Sequence, residues 1–185
     1  MQDFRILKSV LFMVLLGALA ACTDNSGGAS PAGDDVSFSS AGLDDLFSCF
    51  AGEQEAALLD DENAVDDWLS NCEADDSVNV KEAILTEVEG LDDGERLVAV
   101  RMIFGGCVQQ WHFMGIRQEA DVLHAWVLRE DTSYGIANAA CTDDLGMSER
   151  YFIVSDGDVA TATSADLVVG VFNPNLPGAP ALPGS

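Results

Sequence analysis

The residues whose types could do chemistry are five cysteines, two histidines and many carboxylates in a chain of 185 residues. Cys107 and His112 lie five positions apart, and a thiolate beside an imidazole would form a nucleophile and its base. A disulfide at Cys107 would exclude that dyad. His112 and His124 would need a third ligand to hold a metal ion, and the predicted strand register places them on opposite faces, with His124 beside Phe113. We therefore expect no catalytic residue, no metal site and no cofactor.

Adjacent aspartates occur six times, at 44/45, 60/61, 66/67, 75/76, 92/93 and 143/144. Neighbouring residues on a helix point about 100° apart, so such a pair seldom chelates one ion. The calcium loop with alternating aspartates and a distal glutamate is absent. Asp156-Gly157-Asp158 alternates, but Asp-Gly is typical of a hairpin turn. The pairs indicate weakly bound divalent cations at most.

Hydrolase motifs are also absent from the sequence. It contains no G-x-S-x-G, no Ser-x-x-Lys and no H-E-x-x-H. Asp and Glu are so abundant that a pair of carboxylates, as glycosidases use, could form at many places. The sequence neither supports nor excludes such a site.

The first 22 residues carry an export pattern. Arg5 and Lys8 precede an apolar run over residues 10–19, which is short for a membrane span. The run ends in Leu19-Ala20-Ala21-Cys22, which closely resembles the lipobox of bacterial lipoproteins. The resemblance implies diacylglycerol on the Cys22 sulfur, cleavage before Cys22 and acylation of the new amino group. An ordinary signal peptide cleaved after Ala18-Leu19-Ala20 is the alternative.

The lipid anchor predicts the location of the chain. Two or three acyl chains hold a protein at a membrane far more firmly than one. Thr23 rather than aspartate follows Cys22, which by analogy with lipoprotein sorting favours the outer membrane. We therefore expect a cell-envelope protein that contacts the membrane through Cys22.

The chain is strongly acidic, with 32 acidic and 8 basic residues and a net charge of −24. Loss of residues 1–21 removes Asp3, Arg5 and Lys8, leaving 31 acidic and 6 basic residues and a net charge of about −25. Such a chain is repelled by nucleic acid and by anionic lipid headgroups. A saline habitat would explain this composition. Binding of a cationic protein or of divalent cations would be a functional explanation of the acidic composition.

The composition predicts four segments. Residues 1–21 form the signal peptide, and residues 22–38, rich in Ser, Gly and Asp, form a flexible tether. Residues 39–172 form one globular domain, and residues 173–185 form a disordered Pro/Gly tail. With Cys22 lipidated, four cysteines remain, and an even number in an exported chain indicates two disulfides. Three pairings are open, and we favour Cys49–Cys72 with Cys107–Cys141.

Helical spacing dominates the first half of the domain. Leu43, Leu46, Phe47 and Phe50 recur at helical intervals behind Ser39 or Ser40, and further helices are predicted over 53–59, 63–71 and 79–89. The last could alternatively be a strand. Gly90 is placed to end it.

Strand patterns dominate the second half. Residues 96–104, 108–116 and 121–130 predict an antiparallel meander with turns at Gly105-Gly106 and Gln118-Glu119. One face would then carry Val98, Val100, Met102, Trp111, Phe113, Trp126 and Leu128 as an aromatic core. The other would carry Leu97, Ala99, Ile103, Met114, Leu123 and Val127. A hairpin at Asp156-Gly157 and a last strand over 167–172 complete the prediction.

The whole pattern favours an α+β fold, with short N-terminal helices packed on an antiparallel meander of about five to six strands and two disulfides. For function it favours an envelope-anchored, non-enzymatic binding or accessory domain. A carboxylate-dependent hydrolase acting on glycan or peptide, and an inhibitor or chaperone-like partner of a cationic protein, are the alternatives.

Overall fold

Strands make up nearly half of the described part of the chain, more than any other element. The computed structural model describes residues 30–43, 54–70, 74–141, 145–155 and 159–182. Eight strands form one sheet: β1 (Asp34–Val36), β2 (Phe38–Ser40), β3 (Glu55–Leu59), β4 (Arg96–Gly105), β5 (Val108–Glu119), β6 (Val122–Asp131), β7 (Leu145–Val154) and β8 (Ser164–Phe172). Helices α1 (Glu62–Leu69) and α2 (Ala74–Gly90) lie between β3 and β4 in sequence. The predicted α+β class is confirmed, but strands are more numerous than predicted.

The sheet curls around one of its faces. Its order is β2-β7-β4-β5-β6-β8, with β1 beside β5 and β3 beside β4. Only Ser37 separates β1 from β2, so these two strands bridge β5 and β7. On the opposite side β3 lies close to β8.

The prediction of a purely antiparallel meander is wrong, because β6 and β8 run parallel. Between them the chain forms β7, which pairs with β4 and β2 elsewhere in the sheet. A residue pattern predicts a strand but not the strand that it pairs with. Parallel neighbours must be joined by a long crossover, which here contains β7.

Two apolar cores lie on opposite faces of the sheet. The core inside the curve includes Val98, Val100 and Met102 of β4. The core between the helices and the outer face includes Leu97, Ala99, Val65, Trp68 and Ile84. Helices therefore cover one face of β4, as predicted, while the sheet itself encloses the other.

The predicted helices have different outcomes. Those over 63–71 and 79–89 are confirmed as α1 and α2, and the Asp61 side chain caps α1 by accepting from the Ala64 N–H at 2.8 Å. The helix predicted over 53–59 is wrong, since Glu55–Leu59 forms β3 along β4. Glu, Ala and Leu favour helices, but pairing with a buried strand overrides that preference. Residues 44–50, which carry the first predicted helix, lie outside the described residues.

The predicted strand register is shifted by turns and a bulge. Gly105 pairs with Val108, so the first turn is one residue later than predicted. The second turn lies at Ala120-Asp121, where Ala120 has a positive φ of 55°. A bulge between Phe113 and Gly115 then reverses the inward direction along β5.

The bulge corrects the predicted core. Trp111 and Phe113 pack on the inner core as predicted, but β6 contributes Leu123, Ala125 and Val127 rather than Trp126 and Leu128. A single extra residue on β5 changes which residues of β6 share a face with Trp111. The aromatic cluster of the core is instead Phe38, Phe113 and Phe152, with the last two rings stacked at 4.0 Å.

Both ends of the predicted domain need adjustment. β1 lies within the predicted tether, residues 22–38, and its Val36 side chain belongs to the inner core. A single apolar residue among polar ones was too weak a signal for a strand. At the other end Asn173 is fully buried, and its Nδ2 donates to the Thr132 and Tyr134 carbonyls at 2.9 and 3.0 Å.

The Asp156-Gly157 turn of the predicted hairpin lies outside the described residues. The strand predicted after it is wrong, because Val159–Thr161 is a short 3-10 helix and β8 then pairs with β6 rather than β7. Asp-Gly is a local signal that carries no information about whether its flanks pair with each other.

Candidate functional site

A disulfide lies at one end of the sheet. Cys107, in the turn between β4 and β5, is bonded to Cys141, with the Cα atoms 4.9 Å apart. This is one of the two pairs favoured from the sequence. Cys107 therefore cannot act as a thiolate toward His112. Three further cysteines lie outside the described residues: Cys22, Cys49 and Cys72.

The two histidines lie on the same face of the sheet, away from the inner core. The prediction of opposite faces is wrong, because it did not include the bulge after Phe113. His112 lies opposite Leu128 on β6, four residues from His124, which corresponds to roughly 13 Å. The two imidazoles are therefore too far apart to bind one metal ion. Their carboxylate neighbours are Glu130 for His112, at 3.2 Å, and Glu119 for His124, at 3.8 Å.

The aspartate pairs lie in separate places. Asp61 is engaged as the cap of α1, and Asp66 forms an ion pair of 2.6 Å with Lys81. The pair at 92/93 lies in the turn before β4, whereas 44/45 and 143/144 lie outside the described residues. Within the described ranges no group of three or more Asp, Glu, His or Cys side chains could hold a metal ion.

Arg101 forms a buried charged cluster between α1 and the sheet. Its Nε donates to Glu149 Oε1 at 2.7 Å and its Nη1 to Glu55 Oε1 at 2.5 Å. Nη2 donates to the Trp68 carbonyl at 3.0 Å, and the guanidinium lies 4.0 Å from the centre of the Trp68 ring. The Arg101 and Glu149 side chains have no exposed surface. The cluster fastens α1 to β3, β4 and β7.

Tyr151 completes this cluster. Its hydroxyl donates to Glu149 Oε2 at 2.7 Å and accepts from Trp68 Nε1 at 3.3 Å. Burial, reinforced by the negative charge of Glu149, raises the pKa of Tyr151 well above its ordinary value. Since Glu149 is shielded from solvent and shares one guanidinium with Glu55, these carboxylates are not placed to flank a bond of a substrate.

A cavity of about 280 Å³ opens where β4 and β5 separate beyond their hairpin. It is lined by Met102, Phe104, Gln109, Gln110, Trp111, Ser148 and Arg150. Met102 is buried, whereas Phe104 is 39% exposed and places its ring at the cavity wall. The lining has an apolar floor and a polar rim, and among the described residues it includes no carboxylate, histidine or cysteine.

The backbone around the cavity explains its shape. Trp111 Nε1 donates to the Ile103 carbonyl at 2.8 Å, so the indole links β5 to β4 where the strands no longer pair. Gly146 lies opposite Phe104 in the β4–β7 ladder, and a Cβ atom at this position would overlap the Phe104 ring. The ring therefore rests where only glycine leaves room for it.

The β4–β5 hairpin beside the cavity is held by contacts at its turn residue, Cys107. Besides the disulfide to Cys141, the Cys107 carbonyl accepts from the Thr132 backbone N–H at 3.0 Å. The residues on both sides of the turn, Phe104 and Gln109, are thereby tied to the segment that follows β6. The cavity is formed by strands whose positions are set before any ligand arrives.

No protein-family model, curated protein or solved structure matches the chain. Its function must follow from the chemistry of its own residues. Among the described residues, neither helix is both long and apolar enough to cross a lipid bilayer.

Charge is concentrated away from the cavity. Residues 60–95, which contain α1, α2 and the turn before β4, include 14 acidic residues and one basic residue, for a net charge of −13. The single cation, Lys81, is already paired with Glu62 and Asp66 at 2.9 and 2.6 Å. The helical layer is thus an acidic surface on the outer face of the sheet.

The cavity residues were not predicted from the sequence. Ser148 and Arg150 occupy the same face of β7 as Phe152 and Val154, which belong to the inner core. Polar residues at inward positions of a strand were therefore the available signal. It could not be used without knowing that β7 pairs with β4, because alternation alone does not say which face is inside.

Proposed function

We propose that this chain is an envelope-anchored lipoprotein whose folded domain is a non-enzymatic binding domain, with the β4–β5 cavity as its binding site. The lipobox-like ending at Cys22 supports the anchor, and its sorting residue Thr23 favours the outer membrane. The observation that carries the binding role is the cavity lining. It combines an aromatic wall with amide, hydroxyl and guanidinium groups, which is typical of ligand sites.

The same lining argues against the hydrolase alternative. Among the described lining residues Ser148 is the one that carries a hydroxyl, and none of the others has a side chain that could serve as its base. The close pair of carboxylates, Glu55 and Glu149, is engaged by Arg101 on the other side of β4. The domain is therefore better suited to hold a ligand than to cleave one.

The proposal is tested with the full-length lipidated protein in detergent and purified envelope polymers. We expect the protein to sediment with at least one polymer, while mass spectrometry of the supernatant finds no released fragments. Repeated release of fragments by each protein molecule would overturn the proposal and favour a hydrolase. Absence of sedimentation with every envelope polymer would also overturn it.

A cationic protein partner is the second candidate, favoured by the acidic surface of α1 and α2. A cavity of about 180 Å³ beside this surface is lined by Asp60, Asp92, Asp93 and Glu95, together with Arg96 and apolar residues. Association through such a surface weakens as salt screens the charges. If a basic envelope protein bound equally well at low and high ionic strength, this candidate would be contradicted.

A further inference from the structure

We infer that the β4–β5 cavity binds a neutral saccharide, with one sugar ring against Phe104 and its hydroxyls at the polar rim. This inference rests on the proposed binding function and names the ligand class of the same site. It follows from the shape of the cavity, the donors and acceptors at its rim, and the charge of the chain.

The wall and floor of the cavity suit the apolar face of a sugar ring. Phe104 presents an exposed aromatic ring, and Met102 and Trp111 close the space behind it. The volume of about 280 Å³ lies near the lower end of the range for small-ligand sites, roughly 300 to 1,000 Å³. It therefore accommodates one ring of a chain rather than several.

The rim suits the hydroxyl groups of a sugar. Gln109 and Gln110 each offer an amide oxygen that accepts and an amide nitrogen that donates, and Ser148 offers a hydroxyl that does both. A ligand whose every polar group is both donor and acceptor uses such a rim fully, whereas a purely apolar ligand would leave these groups without partners on desolvation.

Charge selects against ionic ligands at this position. With a net charge of −24, the chain repels anions over the range of its field. A cation would find no carboxylate among the lining residues that the structure describes. A neutral, hydroxyl-rich ligand avoids both penalties.

The site is also held in place before binding. The disulfide at Cys107 fixes the hairpin, and the Trp111 indole is bonded to the Ile103 carbonyl. Little conformational freedom of the protein remains to be lost when a ligand enters. Preorganisation of this kind raises the affinity of a small contact area.

The test uses nitrogen-15-labelled full-length protein in a zwitterionic detergent that contains no sugar. The probes are neutral hexasaccharides of glucose, mannose and N-acetylglucosamine, with anionic oligogalacturonate and cationic oligoglucosamine as charged comparators. We expect at least one neutral probe to shift the indole N–H signal of Trp111 in a saturable manner. The indole signals of Trp68 and Trp126 should stay in place, because these residues lie outside the cavity.

Substitutions then locate the binding site. Phe104→Ala should weaken saccharide binding about tenfold, which corresponds to about 1.4 kcal/mol. Gly146→Ala should also weaken it, since the added Cβ displaces the Phe104 ring. The control is Ile136→Ala, which truncates a comparably exposed apolar residue outside the cavity lining and should leave affinity unchanged.

Each alternative outcome has a defined meaning. A charged comparator that shifts the Trp111 signal with higher affinity than every neutral probe, no shift of Trp111 with any neutral probe, or equal affinity of Phe104→Ala and the unsubstituted protein would overturn the saccharide inference. If envelope polymers still sediment with the protein in that case, the binding function stands at another site. If isolated saccharides bind at Trp111 but no envelope polymer does, the site stands and the envelope role fails.

Discussion

Arg101 is the residue on which the attachment of the helical layer depends most directly. It has no exposed surface, yet it contacts two carboxylates, a carbonyl and an aromatic ring. A buried charge is tolerated only when its partners replace the water that it has lost. Removal of one partner should therefore cost more than removal of the whole pair.

Arg101→Met should lower the free energy of unfolding by about 3 to 5 kcal/mol, because Glu149 is left buried without a counter-charge. Urea unfolding of the full-length protein followed by circular dichroism measures this change. Arg117→Met is the control, since Asp35 is 83% exposed and the Arg117–Asp35 ion pair should contribute only about 0 to 1 kcal/mol, besides one hydrogen bond from Arg117 to the Pro31 carbonyl. If Arg101→Met/Glu149→Leu proved as unstable as Arg101→Met alone, the explanation by an unpaired charge would be wrong.

Tyr151 predicts a loss of stability at alkaline pH. Its raised pKa means that the folded state keeps the phenol proton at pH values where the unfolded chain, ionising near pH 10, releases it. The contribution is fully present below about pH 10 and is lost as pH rises above it, by up to about 1.4 kcal/mol per pH unit. Urea unfolding across this range should show the decline.

Tyr151→Phe should remove most of the loss of unfolding free energy above about pH 10. It should also lower the free energy of unfolding at neutral pH by about 1 to 3 kcal/mol, because the hydroxyl's hydrogen bonds are lost. Tyr134→Phe removes a hydroxyl outside the cluster and should retain the decline. The same alkaline dependence in Tyr151→Phe as in the unsubstituted protein would assign it to other groups.

At the scale of elements, the disulfide between Cys107 and Cys141 holds the hairpin beside the cavity. The two cysteines are separated by 34 positions, and closing a loop of this length contributes roughly 3 to 4 kcal/mol. Cys107→Ser/Cys141→Ser should therefore lower the free energy of unfolding by about this amount. Urea unfolding without reductant measures it, and a thiol titration of the unsubstituted protein should find neither cysteine reactive. Reactivity of Cys107 in the folded protein would contradict the bond.

How far the elements could be predicted depended on whether their signals were local. The positions of α1 and α2 followed from apolar spacing, although α2 begins at Ala74 rather than at residue 79, and three central strands followed from their β-branched and aromatic residues. Glu55–Leu59 was misassigned because its residues favour helices, and only pairing with β4 makes it a strand. The partner of β8 could not be predicted from the sequence, because its neighbour β6 is distant along the chain.

The candidate site shows the same limit. Met102 and Trp111 were placed on one face correctly, but Ser148 and Arg150 join them through the β4–β7 ladder. The Phe113–Gly115 bulge also reversed the face of β6 that a regular ladder would give. A glycine inside a strand pattern, here Gly115, is a sequence signal for such a bulge. In the structure Gly115 has a positive φ of 146°.

At the scale of the whole molecule, the chain separates an acidic helical layer from a cavity whose described lining holds no carboxylate. Residues 60–95 carry more than half of the net charge, and α1 and α2 within this range pack on the outer face of the sheet. Repulsion between anionic headgroups and this layer would keep an anchored domain clear of the membrane surface. The proposed anchor at Cys22 and the charge of the domain thus act in opposite directions along the membrane normal.

Cys22→Ser should abolish incorporation of labelled palmitate and move the protein from the membrane fraction to the soluble fraction, because the sulfur is the proposed site of lipid attachment. Mass spectrometry of the native protein should find its amino terminus at an acylated Cys22. The matched control is Ala18→Leu, which alters the alternative cleavage site and should leave lipidation intact. An unmodified Cys22 thiol, or a terminus at Ala21, would contradict the anchor.

The two shortest strands of the sheet are also the first that the chain forms after residue 33. β1 and β2 have three residues each, and Phe38, the first residue of β2, packs edge-on against Phe113 and Phe152. Tension applied from the amino-terminal side reaches these strands first, and few backbone hydrogen bonds resist their peeling. The β4–β7 ladder pairs ten residues of each strand and should outlast β1 and β2, so force through the anchor proposed at Cys22 would expose Phe113 and Phe152 before the rest of the sheet separates.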